Sequence, residues 1–305
     1  MDKGPATYSI GIGGWEHEAF DACFYSRRGA ESLEKLRYYA RFFGLVEVRP
    51  TFWDDTLRAN DASQWADAVR ENRRFLFSVK LHQAFTHKKQ LNVQSARRMR
   101  GILQELAKQD RLGTVLMQFP YSFTNTSANR FHVVKLAQLF SGFPLHAEFR
   151  HESWNQPMLE GFLGETSLGI VATDLPRVKQ FMAFATSVVG DSAYVRLHGR
   201  NEKGWLLNTV DGRYDYLYNE REMREIGRRV SALAQKCRRL SIIFNNTTGG
   251  KGIANAFQLS ASLREGKHVL MPAATLAAFP QLHQIAGGAD AEHSLLGASE
   301  YRQAM

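Results

Sequence analysis

Charged and polar side chains recur inside short apolar stretches of this 305-residue chain, where each is costly unless it is paired or meets water. Glu47 and Arg49 lie two apart in LVEVR, Glu148 and Arg150 in HAEFR, and Arg196 and His198 in AYVRLH. Residues two apart on a strand share a face, so each pair can point the same way. Lys80 ends FLFSVK, Gln118 lies near the end of TVLMQF, Asp174 ends GIVATD, and Asn245 and Asn246 end SIIFNN. Two carboxylates among cations should stay ionised, which suits a general base. Glu47 or Glu148 is the expected base, and Lys80 or His198 the acid, with Asp174 a fifth catalytic candidate. Arg150, Arg196 and Arg200 could clamp an anion through bidentate contacts. Arg49, Gln118, Asn245, Asn246, His151, Trp15 and Trp154 are candidates to line the same pocket.

A second signal follows the asparagines. The turn TTGGKG, Thr247 to Gly252, precedes a helical run from Ile253. Glycines before a helix expose backbone N–H groups, and the dipole favours an anion there. Arg196, Arg200 and Lys251 would add charge, while an ordinary glycine-rich turn is the plainer account. The early GIGGWE has Glu16 where a dinucleotide loop needs its last glycine. No Walker motif, GxSxG elbow or HExxH pair occurs, so neither a nucleotide cofactor nor serine-hydrolase or zincin chemistry is expected.

Eight β-branched or aromatic runs can hold these residues. They begin at Tyr8, Leu45, Phe75, Thr114, His146, Gly169, Ala193 and Ser241, and several are almost continuously apolar, as parallel strands covered on both faces are. Helical stripes separate many of them: Leu33, Leu36, Ala40 and Phe43; Met99, Ile102, Leu103 and Leu106; Met223, Ile226, Val230, Leu233, Cys237 and Leu240. A short helix is expected near Asn155 to Leu163, and Leu175 to Ser192 is too irregular for one. Eight strands alternating with helices predict an α/β fold, a single (β/α)8 TIM-type barrel with irregular or missing helices between strands five and seven. An open doubly wound sheet is the runner-up. One domain is expected over residues 1–286, with a flexible tail over 287–305. In such a barrel the active site lies at the C-terminal strand ends, where these polar residues collect.

Composition narrows the classes. Apolar residues at 44% and charged residues at 23% are globular values and exclude a disordered or fibrous chain. No apolar run approaches a membrane span, and the start MDKGPATYS has no apolar core, so a secretory leader is not expected. The two cysteines, Cys23 and Cys237, exclude a disulfide scaffold, and a reducing cytoplasm is the expected location. The net charge of +9 favours anionic partners or a cationic solvated surface.

Taken in order, GIGGWEHEAF, VEVRPTFW, FSVKLHQAFTH, VLMQFPYSF, AEFRHESW, VATDLP, AYVRLHGR and FNNTTGGKGIANA resemble the domain-of-unknown-function 72 family, also called YecE-like. The resemblance spans about Ser9 to Arg264. It implies a barrel related to TIM barrels and no established activity. By position its motif residues are similar to Glu47, Lys80, Thr86, His87, Gln118, Glu148, Arg150, His151, Trp154, Asp174, Arg196, His198, Arg200, Asn245, Asn246 and Asn255. Arg49 and Pro50 stand where Asn and Ser are usual, Trp53 where Tyr is, and His82 and Tyr121 where prolines are. Arg49 adds a cation beside Glu47.

Three functions compete on these residues. The first is an enzyme without metal, acting on a small anionic, phosphorylated or similar substrate by acid/base chemistry. Hydrolase, isomerase and lyase reactions all remain open to it. The second is a metal-dependent phosphodiesterase or isomerase like the abasic-site nucleases, with Glu47, Glu148, Asp174 and His198 as ligands for a divalent metal. Against it, an arginine two residues from each glutamate would neutralise the ligands. The third is a non-catalytic nucleic-acid-binding protein using Trp15, Phe52, Trp53 and Trp154 to stack bases. A glycosidase would need two carboxylates flanking one bond, and strands four and seven offer Gln118 and His198 instead.

Overall fold

The computed structural model describes residues 6–25, 29–155, 157–178, 180–207, 209–264 and 268–290. Eight parallel strands close into a barrel in chain order: β1 (Thr7–Ile12), β2 (Leu45–Val48), β3 (Leu76–Lys80), β4 (Leu112–Gln118), β5 (Leu145–Glu148), β6 (Gly169–Asp174), β7 (Ser192–Leu197) and β8 (Arg239–Phe244). β8 returns to β1 with Thr7 opposite Arg239 and Ile12 opposite Phe244. All eight expected runs are strands, and the chain is a TIM-type barrel rather than an open sheet.

Helix ends follow local chemistry. Asn92 caps Val93–Lys108 by accepting from the Ser95 amide, and Thr126 caps Ser127–Leu139 by accepting from that of Asn129. Asn219 and Glu222 form a reciprocal capping box at the start of Glu220–Ala234. That helix buries Met223, Ile226, Val230 and Leu233. The expected stripe overran it: the helix ends at Ala234, and Leu240 is already in β8. The short helix after β5 is Leu159–Glu165, and no helix lies among the described residues between β6 and β7. The Leu36 and Met99 stripes are buried against the barrel as expected.

Two later strands lie outside the barrel. β9 (Val269–Pro272) pairs with β10 (Ala286–Asp290). The tail expected from Gly287 therefore begins inside a strand, and its remainder from residue 291 lies outside the described residues. No described helix is long and apolar enough to cross a membrane.

Alternation decides what fills the barrel. Leu45, Leu76, Leu116, Val171, Tyr194 and Ile243 form one inward apolar layer. Two residues further along the same strands stand Glu47, Ser78, Gln118, Thr173, Arg196 and Asn245, which share that inward face. The barrel is thus apolar below and charged above. The larger core lies outside it, between strands and helices.

Candidate functional site

The upper layer is organised by one guanidinium. Arg196 donates from Nε and Nη2 to the two Glu47 oxygens at 2.9 and 2.8 Å, and from Nη1 to Glu148 Oε2. Glu47 also accepts from the Tyr194 hydroxyl at 2.8 Å, and that hydroxyl accepts from Ser78 at 2.8 Å. Glu148 Oε1 takes Nε of Arg150 at 3.0 Å and faces Nε2 of His198 at 3.4 Å. Glu47, Glu148, Arg196 and His198 are all within 2% of complete burial. Such charges persist only because each is paired in close geometry.

Protonation states follow from this packing. Burial alone would raise the Glu47 carboxyl, but Arg196 outweighs it, with help from Lys80, and holds it below its usual range. The same contest is won more strongly at Glu148, where the Arg196 and Arg150 charges, with a hydrogen bond from His198, hold the carboxyl well down. Burial pushes His198 down to about 4 despite Glu148. Asn245 Nδ2 lies 3.1 Å from Nδ1 of the neutral ring, and Nε2 faces both Glu148 Oε1 and Arg196 Nη1, each at 3.4 Å. Asn245 Oδ1 is buried and has no partner among the described residues.

Lys80 ends β3 on the rim of this cluster. Its Nζ sits 3.7 Å from the centre of the Phe52 ring and makes no hydrogen bond or ion pair among the described residues. Burial and the Arg196 charge lower it to about 7, against the pull of Glu47. Arg49 also lacks a carboxylate there: it donates to the Gly13 carbonyl at 3.3 Å and lies 3.2 Å from His17 Nε2. Arg150, 8% exposed, stands 5.4 Å from the Trp205 ring centre.

The structure thus brings together Glu47, Lys80, Glu148, Arg150, Arg196, His198 and Asn245, with Arg49 and Gln118 beside them. It does not bring Asp174 or Arg200 there. Val171 and Thr173 point inward, so Asp174 points to the helix layer and accepts from Arg200 at 2.8 and 2.7 Å and from Tyr218 at 2.8 Å. Arg200 also meets Glu222 and Glu225, each at 3.4 Å. The four conditional metal ligands therefore do not converge. Among the described residues no three His, Cys, Asp or Glu side chains are grouped to hold a metal ion.

Other expected lining residues are turned to packing. Trp15 donates to the carbonyl and hydroxyl of Ser32, each at 3.1 Å, and meets Trp65 edge-on. Trp154 donates to the Phe123 carbonyl at 2.7 Å and stacks on Phe149 at 3.9 Å. His151 accepts from the Ser153 amide at 3.1 Å and meets Tyr121. Asn246, one residue past an inward position, donates to the Tyr216 carbonyl at 2.8 Å and to Asn255 at 2.9 Å. Lys251 pairs with Asp215, so the turn after β8 does not gather Arg196, Arg200 and Lys251 around one anion.

Three contributors escaped the sequence reading. Tyr194 was legible, because it stands two residues before Arg196 on the same face. Trp205 was not: it arrives on Glu202–Leu206, a short helix after β7, and meets His198 edge-on at 6.3 Å. Tyr214, on the neighbouring Val210–Tyr214, lies 6.2 Å from the same ring. Together they roof His198.

A closed eight-stranded parallel barrel with paired charges at its C-terminal mouth defines a TIM-type α/β protein whose polar centre lies where barrel active sites form. The chain belongs to the family described as protein of unknown function DUF72, whose model matches residues 9–279. The UPF0759 protein YunF of Bacillus subtilis (strain 168) is 27% identical over 268 residues, covering 82% of this chain and 92% of that one. A DUF72 family protein of Thermotoga maritima MSB8 superposes with a TM-score of 0.75 at 26% identity, over 85% of this chain and 99% of its own. One from Enterococcus faecalis V583 gives 0.72 at 23% identity, over 85% and 96%, and shares the fold.

Proposed function

We propose that this chain is an enzyme that takes a small anionic substrate at the barrel mouth and acts on it by proton transfer, with Lys80 as the exchanging group. The observation that carries this reading is the charge balance of the mouth. Glu47 and Glu148 are matched by Arg196 and Arg150, so Lys80 and Arg49 remain without a carboxylate among the described residues. A cationic excess at the edge of a low-dielectric cluster draws an anion and is strengthened by the exclusion of water. An amine lowered to about 7 is present in both protonation states at neutral pH, the condition for efficient general acid/base work. Two of the four aromatics available for base stacking, Trp15 and Trp154, are buried in the helix layers, which disfavours a nucleic-acid surface at this mouth.

The test is binding. In low salt at pH 7, inorganic phosphate and succinate should raise the Tm and give saturable heats by titration calorimetry. The double variant Lys80→Met, Arg49→Met should fold and lose at least about tenfold in affinity, since each charge-assisted contact contributes about 1.5–3 kcal/mol. No saturable binding of any small anion by the wild-type chain would overturn the reading.

A further inference from the structure

Resting on that reading, we infer that Lys80 is also a nucleophile: its amine condenses with the carbonyl of a small oxo acid whose acid group is held by Arg49 or Arg150, forming an imine on the enzyme. Lysines at the surface are strongly hydrated ammonium ions and do not act this way; a lysine does so when it is desolvated beside another cation. Lys80 meets both conditions. The Phe52 ring covers one side of Nζ at 3.7 Å, and Arg196 and Arg150 stand within electrostatic reach. No hydrogen bond or ion pair to a described residue holds its nitrogen, so a lone pair is free once the proton leaves. Lys80 as a residue keeps partial exposure at the rim, the side from which a small acid would approach.

The same cluster supplies what the condensation requires. Nζ, as the neutral amine, attacks the carbonyl carbon; the C–N bond forms as the C–O π pair moves to oxygen, which takes a proton. The C–O bond then breaks and water leaves. One of the water's hydrogens comes from the amine and the other from solvent, and the iminium carries the positive charge. Glu47 and Glu148, held ionised, are within electrostatic reach of Lys80 and would balance that cation. A substrate with an anionic group next to its carbonyl fits a mouth that is cationic at its rim and carboxylate-lined beneath. Oxo acids have that arrangement; simple esters and phosphodiesters lack the electrophilic carbonyl that an amine converts to an imine.

The experiment traps the imine as a secondary amine. The full chain is incubated at pH 7 with glyoxylate or pyruvate and sodium cyanoborohydride, which supplies the hydride, and its peptides are mapped by mass spectrometry. One reduced adduct on Lys80, formed at least about tenfold faster than on any other lysine, is expected, because at pH 7 an amine near 7 has far more free base than ordinary lysines near 10. Saturating phosphate should slow it. Labelling spread over surface lysines, or none at Lys80, would overturn the inference. Because the site is mapped in the wild-type chain, the result does not depend on a variant folding. If phosphate and succinate still bind while no adduct forms at Lys80, only the imine is lost; if neither binds, the reading beneath it fails as well.

Discussion

At the scale of single residues, the decisive feature is that Arg196 serves two carboxylates. It is 2% exposed, and Glu47 and Glu148 are fully buried around it. Removing the guanidinium leaves two buried carboxylates with one fewer cation, whereas removing all three charges leaves only Arg150, which keeps some exposure, and the rim amine Lys80 without carboxylates. Breaking a buried pair from one side typically costs about 3–5 kcal/mol. Arg196→Met should therefore lower the Tm by roughly 10 °C in a chain of this size. The triple variant Glu47→Gln, Glu148→Gln, Arg196→Met should recover more than half of that loss in thermal unfolding at pH 7. A triple variant no more stable than Arg196→Met would mean that packing, not charge compensation, fixes this layer. The pairs of types were visible in sequence, because VEVR, AEFR and YVRLH place charges on one face of each strand. What could not be read was which arginine faced which carboxylate: Arg196 reaches Glu47 across the barrel, a relation between β2 and β7 that no local spacing encodes.

At the scale of elements, the roof over His198 rests on a close backbone approach. Gly204 and Gly212 bring Glu202–Leu206 and Val210–Tyr214 together so tightly that a β-carbon on Gly204 would lie 2.1 Å from the Gly212 carbonyl. Backbone cannot yield as a side-chain tip can. Gly204→Ala must push the two short helices apart and lift Trp205 from His198 and Arg150. The expected result is faster hydrogen exchange across residues 202–214, red-shifted tryptophan emission and a barrel that still unfolds cooperatively, with Tm lower by only a few degrees. Unchanged exchange in that segment would show that the roof is held from elsewhere. The elements themselves differ in legibility for the same reason. Strands and long helices announce themselves by periodicity, and all eight strands do so here. The roof consists of two helices of five residues each, too short for a stripe, placed by tertiary contact. Asp174 and Asn246 show the converse error: one ends β6 and the other lies two residues past β8, but counting in twos from Val171 and Ile243 puts both on the helix side.

At the scale of the whole molecule, buried titratable groups give a stability profile that can be worked out in sign. Burial pushes His17, His146 and His198 each down to about 4 in the folded chain, against about 6.5 when unfolded. Between those values the unfolded chain binds three protons that the folded chain refuses. Stability must then fall as pH drops, by about 4 kcal/mol per pH unit where all three differ. Glu47 and Glu148, held low when folded, extend the loss further into acid as unfolding lets them take protons. Lys80 acts at the other end: lowered to about 7, it keeps stability rising as pH climbs from 7 toward 10. Tyr39, Tyr194 and Tyr218 are raised well above 10 by burial, so above 10 the unfolded chain loses protons first and stability turns down. The maximum should lie between about pH 8 and 10 rather than at neutrality, and by pH 4.5 the three histidines alone remove about 8 kcal/mol, a large share of a typical reserve of roughly 5–15 kcal/mol. Urea unfolding at half-unit steps from pH 4.5 to 10.5 measures this directly. A plateau from pH 5 to 8 would mean that these histidines protonate without unfolding, and that the charged layer at the mouth opens to water more easily than its packing implies.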